Sequence, residues 1–174
     1  LADVRRAQQA KQKITDRLKV LEQDGAIVTQ DAEVLLPLQT NSFRRDDYLI
    51  EAPLQEFLRM IIPKYVKLLC GKPEHCSQIK ELKIGGHASP VYEGRYVDIK
   101  DESRRARYAQ HYNIDLSFKR AQAVFHYIKF DMMFDHKGAF MNKVTDVSGH
   151  GFLKARNVPK DYVGKFASCG EEYN

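Results

Sequence analysis

The chain has 174 residues, 43% of them hydrophobic and 29% charged, which is length enough for one real core with a small appendage and too apolar for a disordered polypeptide. Lys and Arg total 28 against 23 for Asp and Glu, a net charge of +5 that favours an acidic partner but is too mild to nominate nucleic acid by itself. No apolar run approaches the ~20 residues of a membrane span and no signal-like segment is present; opening on Leu1-Ala2-Asp3 without a Met, the chain reads as a processed product or a piece of something longer.

The first segment stands apart. Val4, Ala7, Lys11, Ile14, Leu18 and Leu21 recur at alternating spacings of three and four, the seam of a short coiled coil, and Gly25 is placed to stop the helix. Residues 1–25 therefore read as a connector helix able to pair two chains, with an amphipathic helix packed on its own domain as the equal alternative. The domain proper is expected over 26–174.

Ala26-Ile27-Val28-Thr29 and Glu33-Val34-Leu35-Leu36-Pro37 read as a short hairpin around Gln30-Asp31-Ala32, and Asn41 to Asp47 as a polar loop. Pro53 opens a helix through Leu54, Phe57, Leu58, Ile61, Ile62, Tyr65, Val66 and Leu69, which Pro63 is expected to kink. Cys70-Gly-Lys-Pro-Glu-His-Cys76 brings two thiols close in sequence. A bridge, two reduced thiols, and a zinc site through Cys70, His75 and Cys76 all remain open on spacing alone.

Lys80-Glu81-Leu82-Lys83-Ile84-Gly85-Gly86 alternates charged and apolar residues, so it reads as a strand ending in a backbone turn. Residues 88–112 form a long polar insertion dotted with Tyr92, Tyr96 and Tyr108 and carrying Arg95, Arg104, Arg105 and Arg107 against Asp98, Asp101 and Glu102; within it, Ser103 to Gln110 suits a short helix. The next helix is expected to start at Ser117 as N-cap, with Ala121, Val124, Phe125 and Ile128 on its apolar face. Lys119 and Arg120 would then oppose the macrodipole in the first turn, a cost compensated either internally by Asp115 or by an external carboxylate or phosphate that free N–H groups and Arg120 receive together. Val144 to Val147 supplies a third strand, turned by Ser148-Gly149-His150-Gly151. The order β, α, β, α, β predicts an α+β fold with helices on a mixed sheet.

Two of these segments carry a resemblance. Lys83-Ile84-Gly85-Gly86-His87, followed after the insertion by Asn113-Ile114-Asp115-Leu116-Ser117-Phe118-Lys119-Arg120-Ala121-Gln122-Ala123-Val124, resembles the Gly-His-Thr-Asp strand end and the Asn-x-x-Leu-Ser-x-x-Arg-Ala-x-x-Val helix of OmpA-like peptidoglycan-binding domains. Val147 to Gly151 takes the place of that family's Gly-x-Gly turn, so the resemblance spans roughly residues 27–155. It implies an OmpA-like sandwich and recognition of the peptidoglycan peptide stem, whose diaminopimelate presents a carboxylate and an ammonium. Asn113, Leu116 and Arg120 match the family's binding motif, with Arg120 against the carboxylate and Tyr112, Asp115, His87 and Ser89 beside it. Ser89 stands where the family has its ammonium-binding Asp, which implies either that Asp115 or an acid of the insertion substitutes or that binding is weaker or ligand choice altered.

With the connector helix in front, the arrangement is also similar to the periplasmic part of MotB-type stator subunits, and most of all to those of Zorya anti-phage motors; a flagellar stator and a general cell-wall anchor are the alternatives. This implies a homodimer, a MotA-like motor partner reached through an upstream membrane helix outside this chain, a periplasmic location, and hence a Cys70–Cys76 bridge with Cys169 free or paired between chains. The family's terminal Arg-Arg-Val-type strand has no clear counterpart before residue 174. No catalysis, cofactor or metal is expected: His87, His111, His126, His136 and His150 lack a nucleophile elbow, metal pair or phosphate loop around them, and the acids among the arginines of 95–107 argue against nucleic acid.

Overall fold

The computed structural model describes residues 2–36, 42–44, 46–135 and 137–153; Cys169, His136, Pro37, Asn41 and the basic tail lie outside them. Helix α1 spans Ala2–Leu18 and tightens into a 3-10 turn over Lys19–Asp24. Gly25 closes it at φ +89°, its N–H donating to the Glu22 and Leu21 carbonyls, the left-handed cap that glycine adopts without a Cβ penalty. A two-residue hairpin follows, β1 (Ile27–Val28) against β2 (Val34–Leu35). Helix α2 (Ala52–Cys70) carries a proline in its first turn and runs through Pro63 without a break.

The C-terminal half of α1 belongs to the core. Leu18 and Leu21 are 1% and 0% exposed and pack in one cluster with Leu54, Leu58, Ile61 and Val66 of α2, each such side chain contributing about 1.5–3 kcal/mol of burial. Ile14 packs against the same cluster, whereas Val4 is 60% exposed. Lys64 pairs with Asp24 at 2.8 Å and Lys11 with Asp31, fastening α1 at two further points. Of the two readings of this helix, its C-terminal positions follow the amphipathic helix packed on its own domain: Leu18 and Leu21 are covered by the broad apolar face of α2.

Cys70 and Cys76 are disulfide-bonded, with Cα atoms 4.1 Å apart. The bridge spans the end of α2 and the four-residue helix α3 (Pro73–Cys76), and it excludes the zinc alternative at these thiols.

Strand β3 (Leu82–Gly86) pairs in parallel with β6 (Val144–Gly149), register Gly85 to Ser148 and Gly86 to Gly149. Between them lie the hairpin of β4 (Val91–Tyr92) and β5 (Arg95–Tyr96), helix α4 (Arg104–His126), a π-helical turn over Tyr127–Asp131 and helix α5 (Lys137–Met141). The fold is α+β. Among the described residues, however, the strands form three separate two-stranded sheets, so the first hairpin does not join β3 and β6 in one mixed sheet.

Helix α4 is a single 23-residue helix, which removes the expected boundary at Ser117. Its N-cap is Ser103, whose Oγ accepts the Ala106 N–H at 3.1 Å, and residues 104–112 of the expected insertion are its first turns. Ala106, Ala109, Asn113, Ser117 and Ala121 make the buried stripe. Around Ser117 the strands approach to backbone contact: a Cβ on Gly86 would lie 2.0 Å from the Ser117 carbonyl oxygen, and one on Gly149 2.4 Å from the Phe118 nitrogen, whereas Ala106 and Ala109 pack with Val97 and Phe152. Lys119 and Arg120 thus lie deep in the helix and face no N-terminal dipole.

Candidate functional site

The β3–β6 sheet separates the expected site residues. Gly86 faces α4, and alternation along a strand turns Gly85 and His87 to the opposite face; a Cβ on Gly85 would meet the His150 ring at 3.1 Å and the His87 ring at 3.9 Å. His87 and His150 stack there with centroids 5.1 Å apart and planes at 26°, and Ser148 Oγ lies 3.4 Å from His150 Nε2. Ser89 is half-buried in the turn after β3. His87 and His150 thus lie on the face of the sheet turned away from α4, which carries Arg120.

On the helix, Asn113 is only 3% exposed. Its amide donates to the Ala109 carbonyl at 3.0 Å and the Val91 carbonyl at 3.4 Å, tying β4 to α4, and Leu116 is buried beside it. Asp115 faces outward in an ion pair with Lys119 at 2.9 Å, a contact that raises the Lys119 pKa above its ordinary value. Both side chains are about half exposed, so this helical pair contributes little to stability.

Arg120 and Tyr112, two turns apart on α4, meet the loop of residues 42–50. Phe43 and Ile50 bridge antiparallel across that loop, and the Glu51 N–H donates to the Ser42 carbonyl at 3.1 Å. Arg120 reaches into it: Nε donates to the Asp47 carbonyl at 2.9 Å, Nη2 to the Arg44 carbonyl at 3.3 Å, and the guanidinium carbon stands 4.8 Å from the Phe43 ring centroid. A planar cation over an aromatic face is favourable when partly desolvated. Burial pushes the Arg120 pKa down from its ordinary value, opposed by Asp46, Tyr112 and Asp47. The Tyr112 pKa is raised by burial and then by Asp46, to which its hydroxyl donates, with Arg120 opposing.

The carboxylate beside Arg120 and Tyr112 is therefore Asp46, from the polar loop, and neither Asp115 nor an acid of the 88–112 segment. Asp46 sits at φ +55°, a left-handed conformation that Asp tolerates better than most residues. Asp47 Oδ1 accepts the Tyr48 N–H at 2.6 Å and the Leu49 N–H at 3.3 Å, an Asx turn that shapes the loop tip. The consecutive Asp46-Asp47 pair was the sequence signal for this half of the site, but nothing local assigns a loop to a helix some seventy positions away.

Nearer the start of α4, Tyr108 lies one turn before Tyr112 and Arg104 one turn before Tyr108, each step carrying the row further around the helix from Arg120. Tyr92 of β4 makes edge contacts with Tyr112 at 5.4 Å and Tyr108 at 5.9 Å, and Arg105 stands 5.8 Å over the Tyr92 ring while donating to its carbonyl at 2.9 Å. The aromatic and cationic stretch joins the Asp46, Tyr112 and Arg120 cluster at Tyr112, through the contact of that ring with Tyr92. It offers paired hydrogen-bonding charge and ring faces, without a nucleophile and base in contact.

No family model, curated protein or solved structure matches the chain. Among the described residues no helix is long and apolar enough to cross a membrane, and no group of three or more metal-ligating side chains occurs.

Proposed function

We propose that this chain is a noncatalytic wall-anchoring domain that binds the peptide stem of peptidoglycan. The observation that carries the reading is the meeting of the motif-bearing segments. Residues 83–87, 113–124 and 147–151 lie far apart in sequence, yet Gly86, Gly149 and Gly151 all abut the 113–121 stretch of α4, and Ser117 Oγ accepts the Gly151 N–H at 2.8 Å. That leaves Arg120 on the flank of the helix, with Asp46 and Tyr112 for company. Two of the five guanidinium donors are directed at loop carbonyls; a stem carboxylate uses the remainder or displaces the Arg44 carbonyl, and Asp46 takes the ammonium that the family's missing Asp would hold.

In the finer reading the chain is the periplasmic part of a MotB-like stator of the Zorya anti-phage type, a ZorB, working as a homodimer with a MotA-like ZorA subunit through an upstream membrane helix. The packing of α1 on α2 supports a stiff connection between helix and anchor, as a stator needs. Because Leu18 and Leu21 are used internally, pairing in this reading falls to the exposed N-terminal half of α1 or to the domain surface.

Retention on purified, insoluble peptidoglycan, competed by free diaminopimelate-containing stem peptide, tests the proposal. Binding that the peptide displaces is the expected result. No retention, or retention that the peptide leaves untouched, rejects stem recognition.

A further inference from the structure

Next to Tyr112, whose ring Tyr92 touches, lies a shallow, open surface depression lined by Tyr92, Glu93, Arg104, Arg105 and Tyr108. We infer that it is a sugar subsite, taking an N-acetylated hexosamine of the glycan strand while the stem peptide lies against Arg120. The inference rests on the peptidoglycan reading and adds a second ligand class to it.

The side chains select the chemistry. A pyranose presents weakly positive C–H groups on its faces and hydroxyl or acetamido groups on its rim. Tyrosine rings carry negative faces that suit the first, and Tyr108 is 62% exposed. Glu93 supplies acceptors and the arginines supply donors for the second. Nucleic acid, which also stacks on aromatic rings, is disfavoured because the Glu93 carboxylate lines the same depression and would oppose a phosphate. Glu93 is held there by the fold: it occupies a two-residue turn with Gly94, at φ +50° and +72°, between the paired ends of β4 and β5.

Position supports the assignment as well. Tyr108 and Tyr112 are one helical turn apart on α4, about 6 Å along its axis, and Tyr92 touches both rings. The peptide stem of peptidoglycan is attached directly to its glycan. A sugar site must therefore lie within reach of the peptide site, and this depression meets it at Tyr112 through the Tyr92 ring.

The test is binding of the full chain to an N-acetylglucosamine tetramer and to glycan strands stripped of peptide, followed by calorimetry. Tyr108→Ala should weaken both roughly tenfold, the order expected for losing an aromatic face, and Tyr108→Phe should restore them. Retention on whole peptidoglycan without any tetramer or bare-strand binding would overturn the sugar subsite and leave stem recognition standing. Tyr108-dependent tetramer binding without displacement of whole peptidoglycan by stem peptide would support the subsite and reject stem recognition. Tyr108-dependent binding of single-stranded nucleic acid, with none of sugar, would also overturn it.

Discussion

The Gly151 N–H donates to Ser117 Oγ at 2.8 Å across 34 positions of sequence, and the same hydroxyl donates to the Ile114 carbonyl at 2.9 Å. Ser117 is 0% exposed, so water cannot replace either bond. Ser117→Ala should cost about 1–3 kcal/mol, the penalty for leaving a buried donor unmade. Gly86→Ala should cost more, since its Cβ would overlap the Ser117 carbonyl. Urea denaturation measures both; equal stability of Ser117→Ala and wild type would contradict the packing of α4 on β6.

Arg120 holds the loop that carries Arg44 and Asp47, in addition to its proposed role toward a stem carboxylate. Arg120→Ala removes both bonds to the Asp47 and Arg44 carbonyls, and the expected loss is roughly 1–3 kcal/mol, reduced from the full charge-assisted value because the site is partly exposed. Hydrogen exchange at the Glu51 amide should accelerate while the α2 core stays protected. Arg120→Lys keeps the charge but not the planar fork, so it should fall between the two in peptidoglycan retention. Unchanged exchange in Arg120→Ala would detach Arg120 from the loop.

Leu18→Lys should lower stability by about 2–5 kcal/mol, the range for emptying a buried leucine site, because Leu18 packs against α2. Val4→Lys, at an exposed position, should leave the melting temperature unchanged. Sedimentation velocity and thermal unfolding together decide the matter. A Leu18→Lys protein that is monomeric where wild type is dimeric, and equally stable, would restore the intermolecular seam.

The Cys70–Cys76 bridge closes a short loop, for which the chain-entropy relation gives only ~2 kcal/mol. Cys76→Ser should therefore shift the unfolding midpoint modestly and loosen α3 locally. Peptide mapping without reductant should find Cys70 joined to Cys76; a bridge from either residue to Cys169 would contradict the geometry of the α2–α3 corner.

Burial raises the Tyr65 pKa from its ordinary 10 to about 12. The folded value lies above the unfolded one, so the contribution is fully present below pH 10 and is lost as pH rises from about 10 to about 12. Tyr65 also meets the Phe140 ring edge-on at 5.8 Å, which Tyr65→Phe preserves. That variant should lose less stability than wild type between pH 10 and 12, measured by denaturant midpoint. Identical slopes would mean that Tyr65 ionises as freely in the folded protein as in the unfolded one.

Elements whose signal is local were readable from the sequence: the α2 face from Leu54 to Leu69, the Gly25 cap, the β1–β2 hairpin, the alternation of β3, and the short spacing of Cys70 and Cys76 that made their bridge one of the alternatives. Each rests on periodicity, a turn residue or nearness along the chain. The extent of helix α4 was not legible because, Leu116 apart, its buried residues are Ala106, Ala109, Asn113, Ser117 and Ala121, small or polar residues with little hydrophobic period; Ser117 and Ala121 face the close-lying Gly86 strand end, and Ala106 and Ala109 pack with Val97 and Phe152. Leu18 and Leu21 show the converse: their spacing specifies an apolar edge, but only tertiary packing decided that α2 covers it. The placing of Asp46 beside Tyr112 and Arg120, and of His87 on the far side of the sheet, likewise depends on how distant segments cross, which a pattern of neighbours along the chain does not encode.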